Sequence, residues 1–117
     1  MIDNKNVNVL ILSAGRRVEL IKIWKRTLNK LVGKKNKVFA CDLNSIESAA
    51  CFFSDEKFDI CHCLDKEYSD LLLRKCIEKD IKIIIPTIDT ELEPLAKIKR
   101  LFYSFGINII ISELDFI

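Results

Sequence analysis

The sequence predicts an α/β domain, a three-layer sandwich with a five-stranded parallel sheet in the order 3-2-1-4-5 and helices on both faces. Three observations lead there. Hydrophobic residues switch back and forth between short strand-like runs and longer helical stripes. The stretch "KIIIP", Lys82 to Pro86, carries an unbroken isoleucine run, as a strand covered on both faces should. The 117 residues show no internal repeat, low-complexity tract or linker, which fits one domain.

Each element has its own signal. Val7 to Leu12 is rich in β-branched residues and short enough for a buried strand. Arg17 to Leu31 follows as a helix with Leu20, Ile21, Trp24, Leu28 and Leu31 in one stripe, and Gly33 is placed to cap its end. "KVFACD", Lys37 to Asp42, is the second strand. Ser45 is placed to cap a short helix over Ile46 to Phe53, with Glu47 in its first turn. Phe58 to Cys63 reads as the third strand, and Tyr68 to Lys79 as a helix with Leu71, Leu72 and Cys76 on one side. Lys82 to Pro86 is the fourth strand. Thr90 is placed to cap a helix over Glu91 to Phe105, with Pro94 tolerated in its first turn and a stripe of Leu95, Ile98, Phe102 and Phe105. Gly106 ends it, and Ile107 to Ile111 is the fifth strand. Strand-helix alternation of this kind implies right-handed crossovers and a Rossmann-like half-sheet.

Composition narrows the function classes. Half the residues are hydrophobic and 31% are charged, with 19 basic against 17 acidic side chains and a net charge of +2. That balance lacks the concentrated basic surface of a nucleic-acid binder. The one dense basic run, Lys34-Lys35 to Lys37, falls in a helix-to-strand turn and reads as solvated. No apolar run approaches the ~20 residues that span a bilayer, so no membrane partner is expected. The N-terminus "MIDNKN" lacks the apolar segment of a signal peptide. A cytoplasmic protein is expected, with the five cysteines (Cys41, Cys51, Cys61, Cys63, Cys76) as reduced thiols. Cys61-His62-Cys63 invites a metal reading. On a strand, however, the cysteines face one way and His62 the other, and no second Cys/His pair follows at zinc-like spacing. No metal ligand and no catalytic residue is expected. A phosphorelay receiver is excluded, because Ser13 and Ala14 stand where its acidic residues belong.

Strand order reverses between strands 1 and 4, and open α/β sheets bind ligands beyond the carboxyl ends of their strands at such a point. This places the loops Ser13-Ala14-Gly15-Arg16-Arg17 and Thr87-Ile88-Asp89-Thr90-Glu91 in the candidate site, with Asp42 adjacent. The dinucleotide fingerprint would want glycines at Ser13, Gly15 and Val18, and only Gly15 is one. No Gly-Lys-Ser/Thr follows, so a phosphate-cradling P-loop is absent. Arg16 and Arg17 at a helix N-terminus suit a carboxylate or phosphate, or simply lie in solvent. Asp42 could hold a ribose hydroxyl or cap Asn44 or Ser45. Asp89 and Glu91 could bind an ammonium group or a metal, or Glu91 could be a favourable first-turn charge.

Taken together, "NVLILSAGRRVELIKIWKRTL", "VFACDLNSIESAACFFSD" and "IIIPTIDTELEPLAK" resemble the N-terminal, pre-ATP-grasp domain of ATP-grasp enzymes, in particular the carbamoyl-phosphate-synthase-like group. The resemblance runs from about Val7 to Ser112. It implies an enzyme that activates a carboxylate with ATP to an acyl-phosphate, which an amine or other nucleophile attacks. By that resemblance the matching positions Ser13, Gly15, Arg16, Arg17, Glu19, Asp42, Asp89 and Glu91 face the substrate, a small-molecule carboxylate or amine. ATP and Mg²⁺ would sit mainly in later lobes, so no cofactor is expected in this chain. The final Ser112 to Ile117 looks like the cap and start of another helix, so residues 1–112 are expected as the domain and 113–117 as the start of a truncated segment. The partners expected are then the missing ATP-grasp lobes of the same polypeptide, without which no ligase activity should appear. Apolar surface left by those lobes could also support a homodimer. Two other readings stay open: a free-standing nucleotide-binding Rossmann-like module, and a non-catalytic interaction module.

Overall fold

The structure, a computed structural model, describes residues 8–15, 17–32 and 36–111. The expected Gly33 cap, the Lys34-Lys35 run, the place of Leu31 in its stripe, Arg16, and the segment 112–117 lie outside the described residues.

In chain order the elements are β1 (Asn8–Ile11), α1 (Val18–Val32), β2 (Val38–Asp42), a 3-10 turn (Ser45–Glu47), α2 (Ala49–Phe53), β3 (Glu56–Asp59), α3 (Tyr68–Glu78), β4 (Ile81–Ile85), a second 3-10 turn (Asp89–Glu91), α4 (Leu92–Ser104) and β5 (Asn108–Ile109). The sheet has five strands in the order β3-β2-β1-β4-β5, all parallel. Among the described residues no helix is long and apolar enough to cross a membrane.

Alternation along the strands sends side chains to two cores. Val9, Ile11, Val38 and Ala40 pack with Ile21 and Leu28 of α1 and Ala50 and Cys51 of α2. Leu10, Phe39, Cys41 and Ile84 pack with Tyr68, Leu72 and Cys76 of α3 and Leu95 and Phe102 of α4. The isoleucine run of β4 is covered unequally. Ile84 is fully buried, whereas Ile83 and Ile85, on the α1 side, are only half-buried. At the opposite end of the sheet Asn8 is buried but fully used. Its side-chain oxygen accepts from the Lys37 N–H at 2.9 Å, and its amide donates to the carbonyls of Lys79 and Asp80 at 3.1 and 3.2 Å. Buried amides persist only with such partners.

Four boundaries differ from expectation, each for a local reason. The third strand runs Glu56–Asp59 rather than Phe58 to Cys63. It is an edge strand in which only Phe58 is buried, so its polar start hid it, and the apolar residues beyond drew the reading downstream. β2 ends at Asp42, opposite Asp59, so nothing remains for residues 61–63 to pair with and they form a loop. The opposite-facing argument for Cys61, His62 and Cys63 therefore does not apply. The short helix starts later than Ser45, because Ser48 is extended (φ −88°, ψ 121°) and caps α2 by accepting the Cys51 N–H at 3.1 Å. Ser45 is instead buried, its N–H donating to Asp59 Oδ1 at 2.9 Å. The last helix begins at Leu92 after a 3-10 turn, with no side-chain cap from Thr90, and Phe105 lies just past its end and is half-exposed. β5 keeps only Asn108–Ile109 of the expected Ile107 to Ile111. Gly106, at φ +80°, closes α4 in the left-handed turn that glycine adopts freely, with the Ile107 N–H returning to the Phe102 carbonyl at 3.0 Å.

Leu10 is fully buried in the strand beside which the order reverses, with β2 and β4 on its two sides. Leu10→Ala should lower the unfolding free energy by about 2–5 kcal/mol in urea denaturation, the usual range for a buried leucine. A loss below about 1 kcal/mol would contradict this packing.

Candidate functional site

The chain leaves β1 at Ile11 and turns back sharply. Ser13 and Gly15 both adopt left-handed backbone, at φ +47° and +49°. A Cβ on Gly15 would make only ordinary contacts, with Ser13 O at 3.8 Å and Asp42 Oδ2 at 3.9 Å, so the backbone angle rather than space favours glycine there. Ser13 holds the same kind of angle at some cost, because a Cβ disfavours it.

That turn puts Ser13 against the loop after β4. The Ser13 hydroxyl donates to Glu91 Oε2. The other carboxyl oxygen, Oε1, accepts a longer bond from the Thr87 N–H at 3.4 Å. The Thr87 hydroxyl lies 2.9 Å from the carbonyls of both Leu12 and Ser13. Arg17, exposed at the start of α1, donates through its guanidinium to the Thr87 carbonyl at 3.0 Å. The two loops that the strand order nominated are thus stitched together by four side chains.

Asp42 serves the same turn from β2. Its Oδ2 accepts the Gly15 N–H at 2.8 Å and its Oδ1 accepts the Leu43 N–H at 2.7 Å. The expected cap on Asn44 or Ser45 is replaced by this pair, because the chain bends immediately after the strand. The Gly15 carbonyl then accepts from Ser48 Oγ at 2.7 Å and the Ala50 N–H at 2.9 Å, which anchors α2 beneath the turn.

Glu91 is the least expected feature. It is only 3% exposed, not the solvated first-turn charge of a helix. Burial pushes its carboxyl above the usual range and the Asp42 charge adds to this, opposed by the hydrogen bonds from Ser13 and from the backbone of Thr87 and Ile88. Asp89 is exposed in the same turn, and Glu19 is exposed on the first turn of α1. The structure therefore brings Ser13, Gly15, Arg17, Asp42 and Glu91 into one network and leaves Asp89 and Glu19 exposed.

Three contributors were missed by the sequence reading. Thr87 follows the strand-ending proline and had a signal, a hydroxyl at the first loop position. Ser48 stands three residues before Cys51, at cap spacing. Tyr68 opens α3 and looked like an ordinary helix start, but it is 4% exposed and its hydroxyl has no hydrogen-bond partner among the described residues.

Two cavities flank the turn. An open groove of about 610 Å³ is lined by Gly15, Val18, Asp42, Asn44, Glu47 and Ser48, among others. It lies where a cofactor phosphate would approach, yet the Gly15 N–H is already taken, and among the described residues the charged side chains lining it are Asp42 and Glu47. Among the described residues no group of three or more His, Cys, Asp or Glu side chains is arranged to hold a metal ion. The second, smaller cavity lies on the other side of the turn, between Ser13, Glu91, Tyr68 and the loop Cys61 to Cys63.

The sheet is Rossmann-like, and its reversal point carries a stitched pair of loops in place of a glycine-rich one. The family described as PylC-like, N-terminal domain, matches residues 9–110. The chain belongs to this family, the pre-ATP-grasp domain of ATP-grasp ligases. No curated protein matches the sequence significantly.

The raised Glu91 carboxyl has a signed consequence. Below its ordinary value of 4.5 both folded and unfolded chains hold the proton. As pH rises through 4.5 towards the higher folded value, the unfolded chain releases its proton first, so stability falls with pH across that window and then levels off. Glu91→Gln should remove this falling limb. The wild type should lose stability relative to the variant as pH rises above about 4.5 in urea unfolding. A difference independent of pH would contradict a buried, raised carboxyl.

Proposed function

We propose that this domain forms the substrate side of a carbamoyl-phosphate-synthase-like ATP-grasp ligase. In this reading it presents the loops Ser13–Arg17 and Thr87–Glu91 to a small-molecule carboxylate or amine. The observation that carries the proposal is the Ser13–Glu91 contact, which fixes both loops at the reversal of strand order in a domain of the ATP-grasp ligase families. The domain is catalytically incomplete by itself. ATP and Mg²⁺ belong to the ATP-grasp lobes, its partners in the same polypeptide, and the acidic groove beside Gly15 supports that division. The lobes would supply the acyl-phosphate chemistry, while this domain binds and orients the acceptor and helps exclude water from it. Five free thiols suit a reducing cytoplasmic setting. Half-exposed apolar side chains such as Phe53 and Ile88 offer surface for the lobes, or for a homodimer where the lobes are absent.

A free-standing nucleotide-binding module has one observation in its favour, the groove beside Gly15 and Asp42. At its phosphate end, Asp42 already occupies the Gly15 N–H. Calorimetry on the 117-residue chain with NAD, ATP and nucleoside monophosphates separates the readings, and micromolar binding would favour the module.

In the domain joined to its ATP-grasp lobes, Glu91→Gln should raise the KM for the acceptor about tenfold and leave the KM for ATP within about twofold, measured by ADP release. An effect confined to ATP would contradict the substrate-side assignment.

A further inference from the structure

The outer edge of the sheet carries a pair of cations that the substrate-side reading does not use. β5 is the last strand on that side, with β4 as its neighbour within the sheet. The later half of α4 runs beside it. A cavity of about 280 Å³ opens there, lined by Lys99, Arg100 and Tyr103 of α4 and Asn108 of β5. Positions 99, 100 and 103 share one side of the helix, because residues three and four apart are neighbours on its surface. The volume lies just under the range of about 300–1,000 Å³ that small-molecule pockets occupy.

The wall sets the sign of the occupant. Its charged side chains are Lys99 and Arg100, and among the described residues no Asp, Glu or His lines it. Neither cation forms an ion pair among the described residues. Acids on the same and the neighbouring segment are engaged elsewhere: Glu93 faces Lys97 at 3.8 Å, and Asp80 faces Lys82 at 3.2 Å. The Lys99 ammonium is held in place, donating to the Ile109 carbonyl at 2.6 Å. That bond uses one of its three N–H donors and leaves two. It also orders a long side chain in advance, so less entropy is lost when a ligand binds. Arg100 is exposed and presents a planar fork that matches carboxylate and phosphate oxygens. The exposed Tyr103 adds a hydroxyl at the rim. The negative end of the α4 dipole, at Ser104, opposes an anion with about half a charge, against two full charges from Lys99 and Arg100.

We propose that the cavity between the end of α4 and β5 is an accessory site for the oxyanion group, phosphate or carboxylate, of a small molecule. Arg100 supplies the fork and Lys99 the fixed ammonium. The site lies beyond β4, away from the reversal of strand order between β1 and β4, so the inference does not depend on the substrate-side reading.

The test is an NMR titration of the 117-residue chain at low ionic strength with inorganic phosphate, with acetate, and with sodium chloride at matched ionic strength. Phosphate should shift the amide signals of Lys99, Arg100, Tyr103 and Asn108 saturably, beyond any change that sodium chloride produces. Saturation by acetate as well supports a general oxyanion site, and saturation by only one of the two narrows the ligand to that group. Arg100→Gln, at an exposed position, should leave the urea midpoint unchanged and weaken the saturating anion about fivefold or more, the effect of losing a hydrogen bond to a charged group. Lys99→Met should weaken it by a similar factor. Shifts that do not saturate, shifts matched by sodium chloride, a saturable response confined to other residues, or an affinity untouched by Arg100→Gln would each overturn the site.

Discussion

The rest of the site depends on one partly buried hydrogen bond, from the Ser13 hydroxyl to Glu91. Parallel strands β1 and β4 lie side by side in the sheet, but backbone pairing ends near Ile11 and Ile85, and each strand then runs into a loop. Loops on a protein surface take many shapes unless side chains tie them. Here Ser13 is turned by a left-handed backbone toward Glu91, and Glu91 is held by a 3-10 turn toward Ser13. Thr87 and Arg17 add a second line of contacts across the same gap. A carboxylate buried to this degree carries a desolvation cost, offset in part by its hydrogen bonds. Ser13 bears a backbone cost as well, at φ +47°.

The bonds to Gly15 set this reversal point apart from a glycine-rich dinucleotide turn. There the first turn keeps its amides free for pyrophosphate. Here Asp42 takes the Gly15 amide and Ser48 takes its carbonyl, so the turn is satisfied internally. The lone glycine of the turn serves its backbone angle and not phosphate approach. The turn exposes instead an acidic groove on one side and, on the other, a small cavity with Glu91 in its wall. The match of residues 9–110 to the PylC-like N-terminal domain family places the chain with the ATP-grasp ligases.

Most of the fold was legible because burial on two faces imposes period, and period survives in a single sequence. The isoleucine run of β4 and the stripe of α1 sit where their patterns put them. The third strand was not legible. An edge strand with one buried side chain has almost no pattern, and "EKFD" looks like a loop until Lys37 and Lys79 are seen paired with Glu56. Strand order alone placed both loops at the reversal of the sheet, and that reasoning used topology and no motif. It could not find the burial of Glu91, because a carboxylate in the first turn of a helix is ordinarily solvated. It could not find Tyr68 either, since an aromatic residue opening a helix is ordinarily core and its orphaned hydroxyl exists only in three dimensions. The same limit applied to Cys61, His62 and Cys63, whose facing was argued from a strand that ends before them.

The claim that one contact organises the site is measured most directly by a double-mutant cycle on Ser13→Ala and Glu91→Gln, with unfolding free energies from urea denaturation. The two positions should couple by about 1 kcal/mol or more, as a hydrogen bond to a buried carboxyl does. Strictly additive losses would show that Ser13 and Glu91 do not hold the loops together, and the account of this site would fail.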